Sequence, residues 1–483
     1  MIKIKNIIKI VGQIMVIFNM TLLAPLLVSL LYQDGHAAVY VYSFFCNMAL
    51  ASVGILYGYH SNNELRHTDA FLLVSLCWVS LIIIATTPFL FSAYVPSAVD
   101  ALFEATSGIT TTGVEVIENL SLLPKSLLFY HQMLQFIGGL GVIILALAIM
   151  PMIGMGGLQV YRAEITGSDK DNKLAPRLKE TAKSLWGIYL SLTVLCILSF
   201  RLAGMDWFNA VCETFGAVST GGFSIHNDSF AYHDSYLIGT IAAVFMLASS
   251  IGFHCHFQWY KTFKLSAYSH NVEVKYFLVS LILFILTVSF VLYTNAFYST
   301  WYDCLYHGAF NVISMMTTTG LSTADFSIWP TFLPVFILLT AILGGCSGST
   351  TGGMKFTRVI YVYQEIKRTL YQLIHPRAVI ALKFGHVVIH AEMSRQIRGY
   401  IFIFVLSLML CVLLLMACHM DFYTAFAAAV ACISCAGDSV ASVSNGYAHL
   451  SDIQKMILVV AMLIGRIEIL SILVIFLPEF WRS

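Results

Sequence analysis

The chain has 483 residues, of which 59% are hydrophobic and only 11% are charged, and its formal net charge is +1. This composition excludes an ordinary soluble domain, in which roughly 25% of residues are charged, and it predicts a membrane protein. The 11 cysteines lie mostly inside apolar runs, so we expect them to be packing residues rather than a disulfide framework.

Apolar runs recur along the whole chain. A helix needs roughly 20 residues to cross the hydrocarbon of a bilayer, and runs of about that length occur near residues 8–32, 39–60, 69–97, 126–150, 181–204, 235–258, 274–297, 329–344 extended by 355–373, 394–418 and 452–476. The sequence therefore predicts about ten membrane spans. The first run is too long for a signal peptide and lacks a small-residue cleavage site, so we expect a retained helix there.

Charge is distributed unevenly between the loops. Lys3, Lys5 and Lys9 precede the first run, and further Lys and Arg residues cluster in 162–183 and 355–398. Because short cationic loops stay in the cytoplasm, both termini are expected to be cytoplasmic. The alternate loops carry acids instead, at Asp100, Glu104, Glu115, Glu118, Asp206, Glu213, Asp228, Asp234, Asp303, Asp325, Asp421, Asp438 and Asp452. An outer face of this kind attracts cations.

A short Thr/Gly motif occurs four times in these acidic loops, at roughly equal intervals. The copies read TTTG ending at Gly113, STGG ending at Gly222, TTTG ending at Gly320 and SCAG ending at Gly437. Glu104 and Glu213 occupy the same position relative to their glycine, and the third and fourth copies have Asn311 and Ala428 there. Each copy lies between two apolar runs, so the pattern predicts a fourfold internal repeat.

The segment before each motif is amphipathic and about three turns long, as in VDALFEATSG and WFNAVCETFG, which is too short to span a bilayer. Such segments are expected to enter the membrane and return. An unpartnered backbone amide costs several kcal/mol in lipid, so the four irregular loops must face one another around a water-filled path. Thr and Gly suit such a path, because neutral backbone and hydroxyl oxygens replace the hydration shell of an alkali cation.

Four further segments of the chain, outside the Thr/Gly motifs, have distinctive sequences. They are QFIGGLGVIILALAIMP (Gln135–Pro151), GLQVYRAEITG (Gly157–Gly167), LGGCSGSTTGGMK (Leu343–Lys355) and LIGRIEILSILVIFLPEFW (Leu463–Trp481). With these segments and the four loops, the chain resembles the TrkH family, the membrane subunits of the bacterial Trk/Ktr/HKT potassium transporter superfamily. The resemblance covers essentially the whole chain.

The resemblance implies an all-α polytopic membrane protein. Two N-terminal helices precede four helix–pore-loop–helix repeats around a central ion pore. The implied divisions are 1–66 for the N-terminal pair, 67–160, 161–262 and 263–375 for the first three repeats, and 376–483 for the fourth. The third repeat would contain an intramembrane gating loop.

The resemblance also implies which residues hold the transported potassium ion. Backbone oxygens are expected to bind it at Thr111, Thr112, Thr220, Gly221, Thr318, Thr319, Cys435 and Ala436, and Gly113, Gly222, Gly320 and Gly437 complete the four filter loops. The fourth loop departs from the family pattern, because it reads SCAGDSVASVS in place of an Asn-rich stretch with Gly-Pro. Asp438 adds a negative charge beside this loop. No organic cofactor is expected.

Two features of the last third of the chain allow more than one interpretation. The run Gly344–Gly353 lacks the order of a phosphate-binding loop. It is either a flexible hinge or, as the resemblance implies, a gate below the filter that includes Gly345, Gly348, Gly352 and Gly353. Arg466, in the last apolar run, either snorkels, pairs with Glu468, or projects into the ion path, as the resemblance implies.

Other patterns indicate packing rather than chemistry. Cys432 and Cys435 form a C-x-x-C pair and His254–His256 reads HCH, but neither has the second ligand pair of a structural zinc site. We therefore expect both to be packing residues. The sequence contains no recognisable catalytic constellation, and an enzyme is not expected.

Two functions stay open at this stage. One is low-affinity potassium uptake through a channel-like pathway in the bacterial inner membrane, and the other is a secondary transporter that couples potassium to protons or sodium. Proton coupling needs titratable groups within the membrane, and the candidates are His254, His256, His307 and Glu468. The resemblance implies a homodimer in the lipid bilayer and a TrkA-like cytosolic partner, a ring of RCK nucleotide-binding domains. No nucleic-acid partner is expected.

Overall fold

The computed structural model describes residues 3–61, 67–153, 174–378, 391–444, 446–467 and 469–482, together with 380–381, 383–384 and 387–388. Three features named above lie outside the described residues: the segment Gly157–Gly167, most of the basic segment 162–183, and Glu468. The Arg466–Glu468 ion pair therefore stays a prediction.

Almost all of the described residues lie in helices or in short loops between them. In chain order the helices are α1 (Ile4–Asn19), α2 (Leu23–Tyr32), α3 (Ala37–Tyr57), α4 (His67–Phe91), α5 (Ala98–Ile109), α6 (Lys125–Ile153), α7 (Leu174–Leu202), α8 (Trp207–Ser219), α9 (Tyr236–Ser250), α10 (Phe253–Thr262), α11 (Ser266–Ser269), α12 (Val272–Thr294), α13 (Trp301–Met316), α14 (Leu333–Leu343), α15 (Phe356–Ile374), α16 (Ala391–Ala417), α17 (Phe422–Ser434), α18 (Asp452–Ile467), α19 (Ile469–Leu473) and α20 (Pro478–Arg482). Strands β1 (Lys383–Phe384) and β2 (Val387–Val388) form one small antiparallel pair.

The predicted all-α polytopic class is confirmed. Six stretches of the described residues are helical, long and apolar enough to cross a membrane: Ile4–Tyr32, Ala37–Tyr57, Asp69–Phe91, Ala182–Leu202, Val272–Thr294 and Ser394–Ala417. The apolar run at 329–373 is divided into α14 and α15 by the glycine-rich run, as the sequence predicts.

The run near 235–258 is not a straight span. α9 ends at Ser250, α10 begins at Phe253, and the two helix axes differ by 94°. The Ser250 carbonyl accepts the N–H of Cys346 at 2.9 Å, and the Phe253 N–H donates to the carbonyl of Gly348 at 3.0 Å. The glycine-rich run supplies backbone partners at this break. The predicted apolar run is therefore helical but sharply bent near its middle.

Four short helices, α5, α8, α13 and α17, precede the four Thr/Gly loops. Each begins at a side chain that accepts a backbone N–H of its first turn, and these caps are Ser97, Asp206, Thr300 and Asp421. Helices of 12, 13, 16 and 13 residues are too short to cross a bilayer. Each one instead brings its C-terminal end, where the helix dipole is negative, to the loop that follows.

Small side chains allow these short helices to lie inside the molecule. From Ala427 to Ser434, α17 is buried at every position, and half of these residues are alanine. It packs among α14, α16 and α18. The N-terminal helices form a second apolar cluster with α4, α5 and α6 on one side of this core.

Candidate functional site

The four Thr/Gly loops begin with the same left-handed backbone turn. Two residues before each glycine the chain adopts a left-handed conformation, with φ of 52° at Thr111, 52° at Thr220, 54° at Thr318 and 52° at Cys435. The glycines themselves have φ of 81° at Gly113, 85° at Gly222 and 85° at Gly320, but 30° at Gly437. Three loops are therefore alike, and the fourth, whose sequence differs most, also differs in conformation.

Equivalent hydrogen bonds close the four short helices. The N–H groups of Thr112, Gly221, Thr319 and Ala436 donate to the carbonyls of Ser107, Gly216, Ser314 and Ala431 at 2.8, 3.0, 2.7 and 2.9 Å. Bonds of this spacing, with a left-handed residue between, are typical of a helix that stops and turns away sharply. The chain then runs on as an irregular strand whose carbonyls are not used by the helix.

The loops meet in a closed ring. A Cβ atom added to Gly113 would collide with the Gly221 carbonyl, and one added to Gly222 would collide with the Thr319 carbonyl. A Cβ on Gly320 would lie 2.7 Å from the Cα of Gly437, and one on Gly437 would lie 3.0 Å from the Thr112 carbonyl oxygen. The structure thus brings the twelve predicted filter residues together in cyclic order, with no room for a side chain at any of the four glycines.

In the first and third loops, two threonine hydroxyls bond to each other. The hydroxyls of Thr110 and Thr112 lie 2.7 Å apart, and those of Thr317 and Thr319 lie 2.8 Å apart at the equivalent place in the third loop. The Thr112 carbonyl accepts the N–H of Gly437. One predicted potassium ligand is therefore engaged with the divergent fourth loop in this conformation.

Buried glutamates hold the strands that follow the first two loops. Glu104 accepts the N–H of Val116 at 2.9 Å and lies 2.5 Å from His131 Nε2. Glu213 accepts the hydroxyl of Ser224 at 2.7 Å and the N–H of Ile225 at 3.3 Å. Both carboxylates are fully buried, so their shared sequence position reflects a shared structural role.

Gln135 supports the second loop from α6. Its Oε1 accepts the N–H of Phe223 at 3.1 Å, and its Nε2 donates to the carbonyl of the same residue at 3.3 Å. The sequence placed Gln135 in a family-like segment but assigned it no role. Gln135 lies with His131 and Gln132 in an otherwise apolar helix, and polar side chains in such a helix indicate buried hydrogen-bond partners.

The glycine-rich run lies against the ends at which the short helices finish. The N–H of Gly352 donates to the Thr318 hydroxyl at 2.6 Å, and that of Gly353 donates to the Ser434 carbonyl at 2.9 Å. The Thr220 hydroxyl donates to the Thr350 hydroxyl at 3.1 Å. The run therefore contacts three of the four filter loops from one side of the ring.

Arg466 reaches the same run from α18. Its Nη1 donates to the Thr350 carbonyl at 3.0 Å, and only 5% of the residue is exposed. Its Nε and Nη2 are buried and have no hydrogen-bond partner among the described residues. A guanidinium is costly to bury in this way, so the remaining donors need water or another polar group on the pore side.

Glu273, on α12, fixes both sides of the glycine-rich run. One carboxylate oxygen, Oε1, accepts the N–H of Ser347 at 2.7 Å, the N–H of Thr357 at 3.1 Å and the hydroxyl of Thr357. The sequence analysis missed this residue. An acid in the first turn of a helix is common at the membrane surface, so nothing in the local pattern distinguished it.

The two other clusters named from sequence make packing contacts. His256 bonds through Nδ1 to the Tyr268 hydroxyl at 2.9 Å and through Nε2 to the Ala248 carbonyl at 2.8 Å. Cys432 and Cys435 are both buried and free, as are most of the other cysteines. The His254–His256 cluster is not part of the ring, whereas Cys435 belongs to its fourth loop.

Comparisons with known proteins agree with this geometry. The TrkH family model, described as a cation transport protein, matches residues 36–483. The Trk system potassium uptake proteins TrkH of Halomonas elongata and Escherichia coli K12 are 40% and 38% identical over 480 and 476 residues, which covers 99% and 98% of this chain and 99% of each relative. The crystal structure of the potassium transporter TrkH from Vibrio parahaemolyticus superimposes with a TM-score of 0.92 and 37% identity over 100% of both chains. The chain therefore belongs to the TrkH family of cation transport proteins.

Proposed function

We propose that this chain takes up potassium across the bacterial inner membrane, as the membrane subunit of a Trk-type system. The main observation behind this proposal is the ring, in which each of the four glycines packs closely against a neighbouring loop. Such a ring admits backbone oxygens but no side chains, and rings of carbonyl dipoles replace the water around an alkali cation. The relatives named as potassium uptake proteins support the choice of ion.

In this proposal the ion is held by backbone oxygens of Thr111, Thr112, Thr220, Gly221, Thr318, Thr319, Cys435 and Ala436. The hydroxyls of Thr112 and Thr319 are bonded within their loops, so at these two residues the carbonyls are the available ligands. An ion at the level of Thr112 competes with the Gly437 N–H for the same carbonyl. We therefore expect the fourth loop to move outward when the ion binds.

Electrostatics favours a cation at this place. Four helix C-termini point at the ring, and each carries a partial negative charge. Asp438 follows the fourth glycine, and its Oδ1 accepts the N–H of Ser439 at 2.8 Å. This carboxyl group lies near the acidic end of the path, and in its ionised form it raises the local concentration of cations.

The glycine-rich run is proposed to close the path below the ring. Its hydrogen bonds to Thr318 and Ser434, which hold it against the third and fourth loops, support this role. Arg466 adds a positive charge at the same level. Opening then requires that the run withdraw from the filter loops, and the glycines Gly345, Gly348, Gly352 and Gly353 give its backbone the freedom to do so.

The assembly and orientation are proposed from the sequence and the family. Both termini lie in the cytoplasm, the acidic loops face outward, and the chain forms a homodimer controlled by a TrkA-like cytosolic subunit with RCK nucleotide-binding domains. The divisions 1–66, 67–160, 161–262, 263–375 and 376–483 are kept as the proposed N-terminal pair and four repeats.

We favour a channel-like pathway over a coupled transporter. His254 is hydrogen-bonded to Asn271 at 3.2 Å, and His256 to Tyr268 and Ala248, so neither projects into the ring. Reversal potentials in liposomes distinguish the two mechanisms. A channel follows the potassium gradient alone, whereas a coupled transporter shifts its reversal potential when the sodium or proton gradient is changed.

The ring itself is tested with Gly320→Ala and Gly320→Asp. Gly320 has φ of 85° and its Cβ would lie 2.7 Å from Gly437 Cα, so either side chain must push two loops apart. We expect both variants to reach the membrane but to lose most potassium uptake in a potassium-uptake-deficient bacterium. Gly187→Ala is the control, because nothing lies within 4 Å of its Cβ position. Wild-type uptake by both Gly320 variants would show that the ring is not the ion path.

A further inference from the structure

Three potential metal ligands converge beside the second filter loop. They are Glu213 on α8, His226 in the segment after Gly222, and His233 at the end of the 3-10 turn Ser229–His233. One ligand atom from each lies within 4.8 Å of the other two. Within the described part of the chain, this is the group that brings three such side chains together.

Each of the three side chains offers an unused polar atom. Glu213 Oε2, His226 Nε2 and His233 Nε2 are buried and have no hydrogen-bond partner. Glu213 is fully buried, and its other oxygen is occupied by Ser224 and Ile225. Buried polar atoms almost always have a hydrogen-bond partner or another ligand. Three unpartnered atoms in one cluster therefore indicate a single ligand that binds all three.

The ligand chemistry selects one class of ion. Two imidazole nitrogens and one carboxylate are typical of zinc sites that keep a fourth position for water, whereas calcium and magnesium prefer oxygen ligands alone. A neutral imidazole binds a metal through one ring nitrogen, and the Nε2 atoms of both rings are the ones that have no hydrogen-bond partner among the described residues.

We propose that Glu213, His226 and His233 bind a divalent transition-metal ion of the zinc class at the acidic end of the ion path. The assignment of the site rests on these contacts alone and does not depend on the proposed potassium uptake. The carboxylates of Asp206 and Asp228 act on His226 electrostatically, and such negative charge attracts a divalent cation.

Metal binding would tighten this part of the molecule. Ligand atoms around one tetrahedral zinc ion lie roughly 3.3 Å apart, so the ion draws the 3-10 turn Ser229–His233 towards α8. Tyr232 stacks on His226 with ring centroids 3.5 Å apart and moves with it. Because the same carboxylate of Glu213 holds Ser224 and Ile225, the metal is linked to the strand that leaves the second filter loop.

The effect on flux follows from charge and from this link. A divalent ion near the acidic end of the path repels an approaching potassium ion. It also neutralises the negative charge of the Glu213 carboxylate. It also restrains the second loop. This part of the inference rests on the proposed function, and it predicts that zinc on the acidic side lowers potassium flux.

Binding is measured first, on the full chain purified in detergent and stripped of metal by a chelator. We expect calorimetry to give one zinc ion per chain, and Co²⁺ to give the visible absorption of a low-coordinate nitrogen and oxygen site. His226→Gln and His233→Gln should each weaken zinc binding at least tenfold. His419→Gln should leave it unchanged, because His419 is an exposed histidine in another loop of the acidic end.

Two results would overturn the site. One is the absence of stoichiometric zinc binding in the wild type, and the other is an equal affinity in the wild type and the His226→Gln/His233→Gln double variant. Magnesium in large excess should fail to displace zinc, and displacement would contradict the ligand chemistry. None of these measurements requires ion transport. A negative result would therefore refute the metal site without refuting the proposed potassium uptake.

Flux is measured next, in liposomes with zinc added on the acidic side. We expect zinc to reduce potassium flux severalfold in the wild type and a chelator to restore it. The double histidine variant should conduct at the wild-type rate without zinc and ignore added zinc. Unchanged wild-type flux in a sample shown to bind zinc would overturn the regulatory effect.

Discussion

At the scale of single residues, equivalent positions in the four loops are held in different ways. Glu104 and Glu213 accept backbone N–H groups from the strands that follow their glycines. Asn311 bonds instead to the His307 carbonyl, and His307 takes the Thr323 hydroxyl. The fourth loop has Ala428 there, without a polar group. Its strand depends on backbone contacts with the first loop, which agrees with the unusual φ of Gly437.

Arg466 gives the first prediction at this scale. Its guanidinium lies beside the glycine-rich run with two donors unpaired, and a positive charge in a cation path repels the permeant ion. We expect Arg466→Ala to raise potassium conductance about threefold or more. Arg466→Lys should keep most of the restriction, because it keeps the charge. Liposome flux normalised to folded protein measures both.

A structural role for Arg466 makes a different prediction. Both variants would then lower thermal stability and leave the flux of each folded molecule unchanged. Arg201→Ala serves as the matched control, because Arg201 is an exposed arginine at the end of α7. An unaltered flux in Arg466→Ala would count against the electrostatic barrier.

At the scale of elements, the glycine-rich run joins α14 to α15 and holds the broken helix α9–α10. Its partners belong to three filter loops, to Ser250 and to Phe253. We expect deletion of Gly348–Thr350 to raise basal potassium flux and to weaken the response to the cytosolic partner. The physical reason is the loss of the Thr350 contacts with Arg466 and Thr220. Flux with and without the partner measures this, and an unchanged response to the partner would reject the gate.

Glu273→Ala tests the same element without shortening it. The substitution removes the acceptor shared by Ser347 and Thr357, each of which then loses a bond worth roughly 1–3 kcal/mol. We expect basal flux to rise, as in the deletion. Glu365→Ala is the control, because Glu365 is an acid on α15 that pairs with Arg398, away from Ser347 and Thr357. If the Glu273 variant loses thermal stability but gains no flux, the residue holds the fold and not the gate.

At the scale of the whole molecule, a buried ion pair joins the last long helix to the first filter helix. Lys455 Nζ on α18 lies 2.6 Å from Asp100 Oδ1 on α5, and both side chains are almost fully buried. Removal of one partner leaves an uncompensated buried charge, which costs about 3–5 kcal/mol. We expect Lys455→Met to lower the melting temperature in detergent by several degrees.

The double variant Lys455→Met/Asp100→Asn should recover much of this loss, because neither residue then carries a charge. Lys264→Met, at an exposed position, should have little effect on the melting temperature. Equal melting temperatures for the two single lysine variants would show that the ion pair does not hold the ring of loops closed.

Much of the architecture could be predicted from local sequence patterns. The apolar runs indicated the helices, because a span must satisfy its backbone within itself and be apolar outside. The four Thr/Gly motifs identified the filter loops, because left-handed turns and close backbone approach leave few residue types to choose from. The break between α9 and α10 was not predictable, since its cause is a hydrogen bond to Gly348, far along the chain.

By itself, the sequence determined the helical membrane class, the position of each Thr/Gly loop and the family. These follow from composition and from spacings within a few turns of chain, which fix backbone preferences directly. Only the tertiary structure decided which groups meet: Glu273 with the glycine-rich run, Lys455 with Asp100, and Glu213 with His226 and His233. Such contacts depend on how whole helices pack against one another, and no local periodicity encodes the partner of a single buried polar side chain.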